Sequence, residues 1–209
     1  MKLKEGNHGG LPLLLFFFVI GCVHAPMNTR ETQPNTSLQT YKAFAKVALT
    51  TKEKDTYYFN QYMFIIPPSN LRIEGSDPLG GTIFRFIASG DDVSLLIPDK
   101  NELYRGKATR ETMFELTSIR ALPAEIILLL TSQIVPKEIS CQFSDFTRIE
   151  TNDYPKKITC VDTVNNVTVE LHIAPLFIDT VLEPSLFNHL KDVSKDVSIL
   201  NISSFKIKK

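Results

Sequence analysis

From Tyr41 onward, apolar and polar residues alternate in short runs separated by turn-forming clusters. Tyr41–Thr50, Thr56–Ile66, Asn70–Ser76, Thr82–Ser89, Val93–Ile97 and Glu102–Arg105 carry this period of two and are predicted as successive strands. Asp77-Pro78-Leu79-Gly80-Gly81, Gly90-Asp91-Asp92 and Pro98-Asp99-Lys100-Asn101 between them supply tight-turn chemistry, so neighbouring strands run antiparallel. The period then becomes helical. Thr109 is a good N-cap for a helix bearing Met113, Phe114, Leu116 and Ile119, and Pro123 suits the first turn of a second that ends before Pro136. Ile126, Ile127, Leu128, Leu129, Leu130 and Ile134 span more than half the circumference of this second helix, so it is expected to be covered on two sides or to cover something that is sometimes absent. Strands resume at Ile139–Ile149, Lys157–Val164 and Val167–Ile173, with Thr151-Asn152-Asp153-Tyr154-Pro155 and Asn165-Asn166 as turns and a last strand near Val197–Ile207. The order predicts a mainly β, α+β domain in which a large curved antiparallel sheet carries a helical lid.

The N-terminus follows another pattern. Lys2 and Lys4 precede an apolar run from Leu11 to Ile20, too short to cross roughly 30 Å of hydrocarbon as a helix. A basic start, a short apolar stretch and small residues at its end describe a secretory signal. Val19-Ile20-Gly21-Cys22 resembles a bacterial lipobox, whose cysteine thiol accepts diacylglycerol. Residues 1–21 are therefore expected to be a lipoprotein signal peptide, 22–36 the lipidated Cys22 with a polar tether, and 37–209 the β domain. More than one acyl chain on Cys22 makes a stable anchor, each buried methylene contributing about 0.8 kcal/mol. Val23 after the cysteine favours the outer membrane. Excluding Cys22 leaves Cys141 and Cys160, which a hairpin would place on facing strands of an oxidising compartment, where a disulfide is expected.

Composition narrows the partners. Lys plus Arg and Asp plus Glu number 23 each, so there is no basic excess to suggest nucleic acid. The 43% hydrophobic and 22% charged fractions are those of a globular chain. Enzyme chemistry finds little material: the domain holds His172 and His189 alone, metal-ligand spacing is missing, Asp91-Asp92 are turn carboxylates, and no phosphate loop follows the glycine pairs. Neither catalysis nor a cofactor beyond the lipid on Cys22 is expected.

Leu71-Arg72, then Asp77-Pro78-Leu79-Gly80, then the helix opened by Pro123 and closed before Pro136, together with Cys22, resemble the LolB-type outer-membrane lipoprotein receptors of the LolA/LolB superfamily. The likeness spans Tyr41 to Pro136; Ser132 stands where such proteins often have Gly, and Cys141 and Cys160 lie outside the pattern. The resemblance implies a half-open antiparallel β-barrel with a helical lid over an apolar cavity. It implies that acyl chains of lipoproteins or lipids bind there and pass into the outer membrane without covalent chemistry, a LolA-like periplasmic carrier being a further partner. It also implies that Leu79, flanked by Pro78 and Gly80, protrudes from a membrane-insertion loop. Phe64, Phe84, Phe86, Ile127 and Leu130 are the expected cavity lining, and a monomer is expected. The competing reading is a structural or assembly lipoprotein that binds a protein partner on the same sheet and holds no lipid.

Overall fold

The computed structural model describes residues 39–117, 119–190, 193 and 197–201; the signal segment, Cys22 and the tether lie outside the described residues. Ten strands form one sheet: β1 (Tyr41–Thr50), β2 (Thr56–Ile66), β3 (Asn70–Ser76), β4 (Thr82–Ser89), β5 (Asp92–Ile97), β6 (Glu102–Lys107), β7 (Ser140–Ile149), β8 (Asn152–Asp162), β9 (Val167–Ile178) and β10 (Ser198–Asn201). Their order is β10-β6-β5-β4-β3-β2-β1-β9-β8-β7, so the sheet is open, with β10 and β7 at its edges. All pairs are antiparallel except β10 with β6, which is parallel. The last strand is thus not the meander's continuation: the chain returns across the sheet to reach its far edge.

The alternation in the sequence becomes two faces. Ala43, Ala45 and Val47 of β1, Met63 and Ile65 of β2, Leu71 of β3 and Phe86 of β4 are buried on the concave face. Two helices, α1 (Arg110–Thr117) and α2 (Pro123–Ser132), lie against that face and add Met113, Ile126, Ile127, Leu129 and Leu130 to the same core. Thr109 caps α1, accepting from the Thr112 amide at 3.1 Å, and Pro123 opens α2. α2 ends at Gln133, whose backbone is left-handed (φ 57°), so Ile134 falls beyond the helix, and Leu128 is 42% exposed. The helix is therefore covered on the core side and open on the other, not on two sides.

The convex face is covered over β3–β6 alone. Residues 179–190 leave the end of β9 and cross it through a 3-10 turn (Pro184–Phe187). Arg72 Nη1 donates to the Leu186 carbonyl at 2.8 Å, and Ser94 Oγ and His189 Nδ1 are 2.7 Å apart. Under this strap Ile87 and Leu103 are buried although they alternate with the core residues, as is Phe187 of the strap itself. This is why Val93 to Leu96 of β5 are buried without a break, Ser94 included.

The strand directions fix two ends. Connectors 51–55, 77–81 and 163–166 share one end of the sheet, whereas Tyr41, which opens β1, pairs with Ile178 at the other. Two connectors differ from expectation. β8 begins at Asn152 and runs through Pro155, leaving a turn at Glu150-Thr151; Pro155 is tolerated because β8 pairs with β9 only from Lys157 onward, so its missing N–H has no ladder to break on that side. β9 likewise continues past Ile173 to Ile178 along β1.

Candidate functional site

Between the concave face and the helices lies an apolar cavity of about 240 Å3. Its wall comes from Val47, Leu49, Phe59, Met63, Ile73, Phe84, Phe86 and Leu95 on β1–β5, from Leu116, Thr117, Ile119, Ile126, Leu129 and Leu130 on the helical side, and from Cys160, Val169 and Leu171 on β8 and β9. Gln61 adds a polar side chain. Phe59 and Phe84 meet edge to face, their ring centroids 5.8 Å apart. Leu49, Phe59, Phe84 and Val169 are only half-buried and sit where their strands approach connectors 51–55, 77–81 and 163–166, so the cavity opens toward that end.

Ion pairs hold the lid from outside. Arg110 of α1 donates to Glu125 of α2 at 2.6 Å, to Glu138 at 3.0 Å and to the Arg120 carbonyl at 3.1 Å. Glu125 also accepts from the Leu122 amide at 2.8 Å, so one carboxylate both joins the helices and satisfies an N-terminal donor of α2.

Of the expected lining, Phe84, Phe86 and Leu130 are on the cavity wall. Phe64 is not. It lies one residue out of phase with Met63 and Ile65, on the convex face between Lys42 and Arg72, with the Lys42 ammonium 5.9 Å from its ring. Ile127 is corrected as well: it is 1% exposed but packs in the solid part of the core, while Ile126, Leu129 and Leu130, three and four apart, turn toward the cavity. Sequence reasoning missed the walls from β1 and β9 and the polar Gln61; the alternation in β1, β2 and β9 carries that signal once β9 is known to pair with β1. Cys141 and Cys160 face each other across β7 and β8 with sulfurs 2.04 Å apart, and Cys160 is itself part of the wall.

Leu79 stands at the open end, 97% exposed. Its loop is rigidly built: Asp77 Oδ1 accepts from the Leu79 amide at 2.8 Å and the Gly81 amide at 3.0 Å, and Gly80 has φ +94°, a conformation other residues resist. Pro78 completes the turn. Val164, on the connector between β8 and β9 at the same end, is 77% exposed. Among the described residues, no group of three or more His, Cys, Asp or Glu is placed to hold a metal ion, and His172 is bound up with Glu170 at 2.6 Å.

No protein-family model matches the chain, and no curated protein does. Solved structures do. A LolA superfamily protein from Nitrosomonas europaea superposes with a TM-score of 0.50 at 8% identity, over 72% of this chain and 90% of that one. The chain shares the fold of that protein. A DUF1329 family protein from Desulfovibrio piger shares it at a TM-score of 0.51 and 12% identity, over 74% of this chain and 91% of that one. In the LolA-type frame the open sheet is a half-open barrel, α1 and α2 are its lid, and the cavity lies between them.

Proposed function

We propose that this protein is a lipid or lipoprotein carrier anchored through Cys22 at the periplasmic face of the outer membrane, binding an acyl chain of its cargo in the cavity and releasing it into the bilayer. The observation that carries the reading is the cavity itself: an apolar, lidded space that opens at the end bearing Leu79. A dry apolar wall suits a chain of methylenes, each contributing about 0.8 kcal/mol on burial, so ten of them contribute about 8 kcal/mol, the scale of micromolar affinity before ordering costs. The resemblance of Leu71-Arg72 and Asp77-Pro78-Leu79-Gly80 to LolB-type receptors adds the delivery step and a LolA-like carrier as donor. The chemistry is binding and release; nothing in the wall is arranged to make or break a bond.

Organic extracts of the purified full-length protein, examined by mass spectrometry, test this. Co-purified acyl species are expected, displaceable by an apolar fluorescent dye. A protein that yields no acyl species and binds no dye has lost this reading to the alternative, a lipoprotein that docks a protein partner.

A further inference from the structure

We propose that Gln61 anchors the carbonyl head of a neutral acyl ligand, an acyl amide or ester, in the cavity; this rests on the acyl-carrier reading above. Gln61 is 8% exposed, lines the cavity, and its carboxamide has no hydrogen-bond partner among the described residues. The hydroxyl of the wall is already engaged, since Thr117 Oγ1 donates to the Met113 carbonyl at 2.7 Å. Gln61 therefore offers the free polar group of an otherwise apolar space. Its cross-strand neighbours are among the smallest available, Ala45 on β1 and Gly75 on β3, over which the Phe84 ring lies so closely that a Cβ on Gly75 would come within 2.2 Å of it. Gln61 and the Phe84 ring thus share this stretch of the cavity wall.

The chemistry of the group selects the ligand. A carboxamide presents two N–H donors and one carbonyl acceptor, so it satisfies an acyl amide in both directions and an ester carbonyl in one. A ligand carbonyl within reach supplies the hydrogen-bond partner that the carboxamide lacks. An ionised fatty acid is a poor fit, because no Lys, Arg or His lines the cavity and the carboxylate would be buried without a counter-charge. Gln61 lies two residues inward of Phe59, about 7 Å along the strand from the mouth. The head of the chain is thus held just inside the opening, with Met63 and Phe86 deeper.

The test uses the full-length protein and four ligands of one chain length: N-methyl dodecanamide, methyl dodecanoate, methyl dodecyl ether and dodecanoate, each competing with an apolar dye at neutral pH. The wild type is expected to bind the amide and the ester roughly fivefold or more tighter than the ether, the scale of one net hydrogen bond, and dodecanoate weaker than the ester. Gln61→Leu, close in volume, is expected to bring the amide-to-ether ratio to about one without weakening the ether. Equal binding of amide, ester and ether by the wild type overturns the anchor and leaves the acyl cavity standing, and so does a ratio unchanged in Gln61→Leu. If none of the four displaces the dye from the wild type, the carrier reading falls with it. Because the wild-type ranking is itself diagnostic, the outcome does not depend on the variant folding.

Discussion

Gly75 illustrates how much one hydrogen atom decides in this wall. An alanine there would place its Cβ 2.2 Å from the Phe84 ring, a half-buried side chain near the mouth rather than backbone. Gly75→Ala is therefore expected to reduce stability by only about 1 kcal/mol, at the low end of overpacking costs, while moving Phe84 out of place and weakening dye binding severalfold; chemical unfolding and dye titration on the same sample separate the two. Leu79 is the opposite case, a residue with nothing to pack against. One leucine gains roughly 1.5–3 kcal/mol on entering an apolar phase, too little to anchor a protein and enough to bias a brief contact. Leu79→Glu is expected to leave stability and acyl binding unchanged and to slow cargo release into vesicles. Wild-type transfer with the glutamate in place would remove Leu79 from the delivery step.

At the scale of elements, the strap 179–190 and the hairpin of β7 and β8 make separate predictions. His189 belongs to the strap and faces β5 with its Nε2 buried and unpartnered; burial and the Arg105 charge lower its pKa from the ordinary 6.5, against the pull of Asp92. The folded protein thus holds a neutral imidazole that the unfolded chain protonates more readily, so the stability it contributes is present above pH 6.5 and is lost as pH falls through the folded value. His189→Asn, which keeps a polar partner for Ser94 and cannot titrate there, is expected to flatten this acid-side loss in urea unfolding measured at neutral pH and near pH 5. In the hairpin, thiol labelling of the denatured protein is expected to find Cys141 and Cys160 blocked, and their joint replacement by Ser to cost about 3 kcal/mol. Because Cys160 lines the cavity, that replacement should also weaken dye binding, contrary to what the position of the pair outside the LolB-like stretch suggests. These elements also mark what the sequence makes legible. Strands β1 and β2 can be read to the residue, because one face is buried and the other wetter and the turns are chemically explicit. The lining was less legible: Phe64 is as apolar as Phe84, and only the register that puts it beside Lys42 tells the two apart. The parallel return of β10 to β6 is a long-range pairing to which no local pattern points.

For the molecule as a whole, the antiparallel order puts the entry of the chain and the mouth of the cavity at opposite poles. Tyr41 opens β1 at the end away from Leu79, and β1 is ten residues long, about 34 Å of strand. If the lipid on Cys22 and the side chain of Leu79 are to reach one bilayer, the intervening segment must act as a mooring line at least as long as the domain is tall. The nineteen steps from Cys22 to Tyr41 can span at most about 65 Å, so the touchdown is within the reach of the chain. Removing ten of them leaves a reach of about 32 Å, shorter than the strand. On the proposed anchoring and delivery, such a protein is expected still to fractionate with the outer membrane and hold an acyl chain, yet to transfer cargo poorly to that membrane while serving free vesicles normally. Equal transfer to both would mean that the mouth never needs to face its own mooring.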